Sequence, residues 1–231
     1  EVVWRIEKTT PDLSVVASRE LYEEFTIYKE WERGHKDGYL DLTAYDIAVN
    51  PVTGDLWVVG FGKFYNRTTN YHLDHFLLVI LDRELNVKKV VEKKSSIEPS
   101  GICFDESGNG YAVGISMGVV KFDKDGNVLA RNGWAKGDKI ACVGGRVYVF
   151  DSTRPPLDEY RRHVLYVLDE RLKLLAELFL NERVEADSGF QYGRPAFDGE
   201  NLYVAGYEYV FGYFNRIAIY SISLPAISKK A

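Results

Sequence analysis

The chain is poor in methionine, glutamine and cysteine: its 231 residues include one Met, two Cys and a single Gln, Gln191. Glu, Lys and Arg are frequent instead, a bias typical of hyperthermophilic proteins, and it predicts a thermophilic source. Two cysteines are too few for a disulfide framework. Cys103 and Cys142 both fall in predicted strands, where we interpret them as small buried hydrophobic residues, with a disulfide between them as the alternative.

Long apolar runs and a basic excess are also missing. The longest apolar run, Phe76–Leu81, has the length of a strand, so no membrane span is predicted. Lys and Arg number 29 against 34 Asp and Glu, and this balance argues against general nucleic-acid binding. The sequence starts at Glu1 without a signal peptide, which together with the cysteine usage favours a cytoplasmic location. Secretion is the alternative if an N-terminal segment has been removed.

The short motifs of common enzyme classes are absent, namely GxSxG, HExxH, GxGxxG, CxxC and the P-loop. The acidic pairs Glu23-Glu24 and Asp158-Glu159 are adjacent, not spaced to flank a glycosidic bond. The sequence therefore leans away from an enzyme.

A repeated hairpin pattern is what the sequence does contain. The stretch 101–133 reads as four short strands with turns at Ser107–Gly110 and Asp125-Gly126, and apolar runs separated by such turns predict antiparallel hairpins. An inner hairpin recurs four times along the chain, at 46–61, 101–115, 139–151 and 194–207. An outer hairpin recurs five times, at 2–21, 76–94, 118–132, 163–180 and 216–230.

A period of about 40–55 residues with four strands per period predicts a β-propeller. We expect one all-β domain over 1–231, a small propeller of about five four-stranded blades, one of them irregular or incomplete. A sandwich and a six-bladed ring are the alternatives. The predicted blade repeats are 1–21 (partial), 46–94, 101–132, 139–180 and 194–230. The inner hairpin that would close the ring is missing from this sequence, does not exist at all, or is supplied by Tyr22–Ala44.

Aligned columns support this prediction. When the four inner hairpins are aligned, one position of the first strand is always a small residue (Ala48, Cys103, Ala141, Ala196). In the second strand, one position is mostly aromatic (Trp57, Ala112, Tyr148, Tyr203), and the next position is always valine (Val58, Val113, Val149, Val204). Since successive strand residues point to opposite faces, the last two columns should lie on opposite faces of each blade.

The long segments fall on one predicted face of the propeller, called here the loop face: 61–75, 152–162 and 207–215 within blades, and 22–44 and 181–193 between blades. Long loops on a rigid scaffold usually carry function. Tyr, Trp and Arg, which are enriched at binding hot spots, gather there. The predicted binding-face residues are Tyr65, Arg67, Tyr71, Arg154, Tyr160, Arg161, Arg194, Tyr209 and Phe211. They can bind a protein or a carbohydrate, or simply hold the loops down.

Histidines and charges suggest a divalent metal as a second use of this face. His72, Asp74 and His75 lie within four positions, and imidazole and carboxylate groups together suit a divalent ion. Asp46 starts an innermost strand and is the fourth candidate metal ligand. Charged residues at other strand starts could join it around the channel mouth, namely Glu98, Lys139, Asp187 and Arg194. The alternatives are solvated loop histidines and a charge ring that only completes strand ends.

The pattern Phe-Asp-x-x-Gly-Asn-x-Tyr at 104–111, with Phe-Asp-x-x-Gly-Asn at 122–127, resembles the NHL-repeat and SMP-30/gluconolactonase-like propellers. The resemblance implies the fold rather than an activity. The lactonase branch holds a divalent metal at the axis with Glu, Asn and Asp ligands, and these ligands have no residue-by-residue counterpart here.

Three functions follow as hypotheses. The first is a non-enzymatic binding module that uses the loop face to engage a protein or glycan. The second is a metal-dependent hydrolase or lyase of the lactonase type, with its site at the channel mouth. The third is a structural subunit of a larger assembly, in which a partner completes the irregular blade.

Overall fold

The computed structural model describes residues 4–34, 38–95, 98–151, 160–161, 164–180, 184–185, 188–210 and 213–223. For residues 34, 160–161, 184–185, 188–191, 207–210, 213–216 and 218 the description covers the backbone alone. Four antiparallel sheets of four strands each make up most of the described chain. The predicted all-β, propeller-like fold is thereby confirmed. The described helices include none long and apolar enough to cross a membrane.

The N-terminal part of the chain is a two-stranded hairpin followed by a short helix. The elements are β1 (Arg5–Thr9), β2 (Val15–Glu20), a 3₁₀ turn (Tyr22–Glu24) and α1 (Thr26–Gly34). The hairpin β1–β2 is the first predicted outer hairpin. Of the three alternatives for the closing inner hairpin, the one in which Tyr22–Ala44 supplies it is wrong, because the described parts of this segment form the 3₁₀ turn, α1 and the start of the next strand.

Blades 1 and 2 follow in chain order, each with its strands paired in sequence. Blade 1 consists of β3 (Gly38–Val49), β4 (Leu56–Asn66), β5 (Tyr71–Leu81) and β6 (Val87–Lys94). Blade 2 consists of β7 (Gly101–Phe104), β8 (Gly110–Gly114), β9 (Gly118–Phe122) and β10 (Val128–Asn132).

Blades 3 and 4 are less regular. Their region contains β11 (Lys139–Val143), β12 (Arg146–Asp151), β13 (Tyr160–Arg161), β14 (Val164–Asp169), β15 (Leu174–Phe179), β16 (Val184–Glu185), β17 (Ser188–Tyr192), β18 (Ala196–Phe197), β19 (Asn201–Val210) and β20 (Tyr213–Ser223). Blade 3 has the order β11-β12-β14-β15, and β13 pairs with β16 separately. In blade 4 the innermost position is divided, since β17 and β18 both pair with β19, which pairs with β20.

An aspartate closes the repeated turns of the blades. Asp105 Oδ1 accepts the backbone N–H groups of Ser107 and Asn109, while Oδ2 accepts the Asn109 side-chain amide. Asp82 and Asp123 make the same three bonds in their own turns. The Asp-x-x-Gly-Asn motif is thus explained by turn geometry, in which the carboxylate satisfies the backbone donors.

The same turn occurs where the sequence has leucine instead of glycine. Gly108 and Gly126 occupy the left-handed position with φ of 83° and 75°, and Leu85 and Leu172 occupy it with φ of 67° and 63°. A leucine is strained there. Both leucines are buried and pack into hydrophobic clusters, which offsets the strain. The turns 82–86 and 169–173 are therefore equivalent to those at 105–109 and 123–127.

Apolar side chains of neighbouring blades fill the space between them. Trp57, Val59 and Leu78 of blade 1 pack against Ile102 and Ala112 of blade 2. Similar clusters join blade 2 to blade 3 and blade 3 to blade 4. The other face of blade 1 is covered by α1 and the N-terminal hairpin, through side chains such as Trp4, Leu21 and Phe25.

The predicted columns are correct in three blades and wrong by one residue in blade 2. Ala48 pairs with Trp57, Ala141 with Tyr148 and Ala196 with Tyr203, as expected. In blade 2, however, Cys103 pairs with Tyr111. Tyr111, not Ala112, is therefore the equivalent of Trp57, and Ala112 faces the preceding blade. Gly110 is the first strand residue after the turn in blade 2, as Leu56 is in blade 1. The predicted alignment placed Tyr111 at that position instead.

The two cysteines lie on neighbouring innermost strands, as predicted, but their interpretation as unbonded hydrophobic residues is wrong. Cys103 of β7 and Cys142 of β11 form a disulfide, with their Cα atoms 5.7 Å apart. The bond joins blade 2 to blade 3 beside the axis. Because the cysteines are bonded, they no longer support the expected reducing, cytoplasmic compartment.

Candidate functional site

An open groove that includes the predicted binding residue Tyr71 lies beside α1 and blade 1. It has a volume of about 630 Å³ and is lined by Glu30 and Arg33 of α1 and by Thr69, Asn70 and Tyr71 of the β4–β5 turn. One wall comes from the segment between the N-terminal hairpin and blade 1. The other wall comes from the link between the second and third strands of blade 1. Parts of two segments assigned to the predicted loop face, 22–44 and 61–75, therefore lie side by side.

The β4–β5 wall is more regular than expected. The predicted irregular segment 61–75 consists instead of the ends of two eleven-residue strands and the turn 67–70. Asn66 Oδ1 accepts the Thr69 N–H at 2.9 Å, and Asn70 adopts a left-handed φ of 53°. Paired strands hold this turn rigidly, so the groove wall is preorganised.

Aromatic rings lie along the tip of this hairpin. The ring of Tyr65 lies 5.7 Å from that of Tyr39 and 6.4 Å from that of His72, centroid to centroid. The Tyr65 hydroxyl donates to Asn70 Oδ1 at 3.0 Å. Tyr71 packs at 6.0 Å from Phe64 and remains 40% exposed at the groove. Tyr65 and Tyr71 therefore lie on opposite faces of the hairpin, because Tyr65 pairs with His72 and Tyr71 pairs with Asn66. Of the predicted binding residues that the structure describes, Tyr71 lines the groove, and Arg67 is exposed in the turn between the two strands.

Of the other predicted binding residues, Arg194 is the one whose side chain the structure describes. Arg194 lies at the axis, described below. Tyr160, Arg161 and Tyr209 lie in β13 and β19, where the description stops at the backbone, and Arg154 and Phe211 lie outside the described residues.

The predicted metal ligands are spread over separate places. His72 Nε2 lies 2.9 Å from Asp74 Oδ1, on one face of β5. His75 is on the opposite face because of the strand's two-residue period, and Asp46 lies near the axis. Within the described ranges, no three His, Cys, Asp or Glu side chains converge in a way that could hold a metal ion.

His75 has a partner that sequence reasoning missed. Its Nδ1 lies 2.5 Å from Glu92 Oε1, and both side chains are almost fully buried. The Glu92 carboxylate also accepts the backbone N–H groups of Thr26 and Ile27 at 2.6 and 2.8 Å. Glu92 therefore anchors the first turn of α1, which forms one wall of the groove. His75 Nε2 is buried without a hydrogen-bond partner.

Electrostatics at Glu92 follow from these contacts. Burial alone would raise the pKa of its carboxyl, but the hydrogen bonds from His75, Thr26 and Ile27 outweigh burial and lower the pKa below 4.5. A carboxyl with a lowered folded pKa stabilises the fold above its unfolded pKa, and this contribution is lost as the pH falls through the folded value.

We expect Glu92→Gln to lower the free energy of unfolding by about 1–3 kcal/mol at pH 7, because the amide cannot accept all three donors. The difference from wild type should shrink below pH 4.5, where the wild-type carboxyl is increasingly protonated in both states. Urea unfolding at pH 7 and at acidic pH measures this. Glu84→Gln, at an exposed turn position, is the matched control and should change little. A pH-independent difference would contradict the role of the charge.

Charged residues near the axis connect innermost strands of different blades. Asp46 Oδ2 accepts the Ile102 N–H at 2.9 Å, and Lys139 Nζ donates to the Ser100 carbonyl at 3.0 Å. Arg194 Nη1 donates to the Ile47 carbonyl at 2.7 Å, which brings blade 4 to blade 1 across 147 residues of sequence. These contacts give all three residues a structural role. Lys139 starts β11 as predicted, whereas Asp46 lies within β3 because that strand begins earlier, at Gly38.

Tyr45 and Glu98 complete the described polar contacts at the axis. The Tyr45 hydroxyl donates to Glu98 Oε2 at 3.1 Å. Burial, and then the neighbouring Glu98 carboxylate, raise the pKa of Tyr45 to about 12, so the phenol remains a donor at neutral pH. Asp187, also predicted here, lies outside the described residues.

Comparison with known proteins identifies no family. No protein-family model matches the sequence, and no curated protein matches it. Among solved structures, a Bacteroides caccae protein of unknown function matches with a TM-score of 0.46 and 13% identity, covering 96% of this chain and 70% of its own. The extracellular domain of a hybrid two-component system from B. thetaiotaomicron matches with a TM-score of 0.21 and 10% identity, covering 76% and 39%. At these scores, neither likeness bears on function.

Proposed function

We propose that this protein is a non-enzymatic binding module whose groove between α1 and the β4–β5 turn takes a glycan. The observation that carries the proposal is the groove itself, with an exposed tyrosine on a rigid hairpin facing charged residues of a helix. Both walls are anchored independently of any ligand, one by strand pairing and the other by Glu92.

The shape of the groove favours a glycan over a protein surface. Its volume of about 630 Å³ lies within the range of about 300–1,000 Å³ usual for small-ligand sites. Protein partners generally need a broader contact, of about 800 Å² on each side. A short oligosaccharide matches an open groove of this size.

The chemistry of the lining also suits a sugar. The face of Tyr71, which is 40% exposed, can stack on the apolar face of a pyranose ring. Glu30 offers a carboxylate acceptor and Arg33 a set of donors, and both can pair with vicinal hydroxyls.

Binding to immobilised oligosaccharides, followed by titration of the best ligand, tests the proposal. We expect Tyr71→Ala to weaken that ligand about tenfold, as loss of a central aromatic contact usually does. Trp134→Ala is the matched control, because Trp134 is 88% exposed and lies outside the groove. Absence of any glycan ligand, or equal losses in the two variants, would overturn the proposal.

A structural role in an assembly is the second candidate, supported by an uncovered sheet face. Ile217 and Ile219 of β20 are 68% and 70% exposed, on the side of blade 4 that faces away from blade 3. Among the described strands, β1 pairs only with β2, so the position of a fifth inner hairpin is unfilled there. A partner strand pair would cover both features.

Sedimentation of the purified chain tests this second candidate. We expect an assembly heavier than one 26.4 kDa chain, and we expect the double variant Ile217→Lys, Ile219→Lys to sediment as a monomer. A wild-type monomer at high protein concentration would contradict self-assembly through this face.

Membership of the NHL-repeat and SMP-30-like group stays a proposal that rests on the turn motif. The metal-dependent alternative receives no support from the described residues, where no ligand set is assembled.

A further inference from the structure

A second cavity lies between the outer strands of blades 1 and 2, apart from the groove. Its volume is about 100 Å³. One wall is formed by β5 and β6 and the other by β9, β10 and the link that contains Met117. It opens where Ser95 ends β6, at the same end of the blades as the β8–β9 link.

The inside of this cavity is apolar. Its walls are formed by Phe76, Val91, Met117, Val120, Phe122 and Val128. The rings of Phe76 and Phe122 are nearly parallel, with an interplanar angle of 10° and centroids 6.3 Å apart. Such walls favour a flat apolar group over water.

Two cations face each other across the opening: Lys93 at the end of β6 and Arg131 near the end of β10. Lys94 also lies at this end, but it pairs in register with His75 and so belongs to the other face of blade 1. Lys93 pairs in register with Phe76, and Arg131 pairs with Val120, so both stand on the facing sides of the two blades. In the part of the chain that the structure describes, none of these three side chains has a carboxylate partner or makes a hydrogen bond.

At the other end of the same cleft, a lysine does have hydrogen-bond acceptors. Lys89 of β6 donates to the Asp125 carbonyl at 2.7 Å and to Asn127 Oδ1 at 2.8 Å, and thereby closes the cleft between the blades. The positive charges at the open end lack such acceptors, and like charges facing each other are unfavourable. An anion at the opening would relieve the repulsion.

We propose that this cavity binds a small aromatic carboxylate, with its ring between the apolar walls and its carboxylate at the opening, paired with Lys93 and Arg131. A closed apolar cavity of about 150 Å³ accommodates benzene; this cavity is about a third smaller but open at one end, so one ring is the largest group that it can take. The site is separate from the glycan groove, and its occupation does not depend on the proposed function.

The single methionine of the chain lies in the cavity wall, so ¹³C-methyl-methionine labelling gives one NMR signal that reports on the site. We expect benzoate to shift the Met117 signal saturably. Benzamide has the same shape without the charge, and acetate has the charge without the ring. Both should bind at least about tenfold more weakly, since charge-assisted bonds and ring burial each contribute substantially.

Substitutions then assign the contacts. Lys93→Gln and Arg131→Gln should each weaken benzoate severalfold, and the double variant at least about tenfold. Lys124→Gln removes the same charge from the β9–β10 turn at the opposite end of the cleft, and should leave benzoate affinity unchanged. All three side chains are exposed, so folding should be preserved, which the methionine signal itself checks.

The proposal is overturned if benzoate produces no saturable shift of Met117. Equal affinity for benzamide would overturn the role of the cations. If Lys124→Gln weakens benzoate binding as much as Lys93→Gln or Arg131→Gln does, the loss of affinity reflects only the net charge of the protein. That result would likewise overturn the site.

Discussion

We expect Trp57→Ala to lower the free energy of unfolding by about 3–5 kcal/mol, the usual cost of removing a large aromatic residue from a core. Trp57 is fully buried between blades 1 and 2. Its ring lies edge-on to Phe104 at 5.1 Å and to Phe122 at 6.2 Å. The closely packed neighbours cannot collapse into the space that alanine would leave.

Urea unfolding at equilibrium, followed by tryptophan fluorescence and circular dichroism, measures this loss. Trp134→Ala is the matched control, because the same substitution at an 88% exposed ring should change the free energy of unfolding by less than about 0.5 kcal/mol. Similar losses in the two variants would contradict the assignment of Trp57 to the interface between blades.

We expect removal of the disulfide to cost about 2–4 kcal/mol, the second of the two largest effects. The bond between Cys103 and Cys142 spans 39 residues, and cutting it frees the unfolded chain. It also removes the cross-link between two neighbouring innermost strands. The double variant Cys103→Ala, Cys142→Ala should therefore unfold at lower urea concentration.

Reduction gives an independent test of the same prediction. Wild type treated with dithiothreitol should unfold like the double variant, whereas the variant itself should not respond to the reductant. If thiol titration of wild type, unfolded in the absence of reductant, finds two free thiols, the bond is not formed. Thermal unfolding of the same samples tests the predicted thermophilic source, for which we expect a Tm above about 60 °C.

The repeat pattern could be predicted because each blade encodes its own turns and strands. The turns at 105–109 and 123–127 depend on local hydrogen bonds from Asp105 and Asp123, and such bonds form between neighbours in sequence. The register of blade 2 could not be assigned as reliably. Glycine at 110 occupies a strand position that is apolar in blade 1, and only pairing with Cys103 placed Tyr111 in the Trp57 column.

The helix α1 was not predicted, although a weak signal is present. Ile27 and Trp31 are four residues apart, as on one face of a helix. Nine residues are too few for a helix to be stable by itself. Its formation depends on Ile27 packing against blade 1 and on Glu92, which is 65 residues away in sequence and accepts the Ile27 N–H.

Sequence by itself determined the all-β architecture and its repeated four-stranded antiparallel sheets. These follow from local turn chemistry and from alternation along strands, which need no knowledge of distant residues. Tertiary structure alone decided which side chains meet: His75 with Glu92, Cys103 with Cys142, and α1 with the β4–β5 turn at the groove. It also placed Lys93 and Arg131 around one cavity. Contacts between residues so far apart in sequence depend on how blades stack around the axis, and no local pattern records that arrangement.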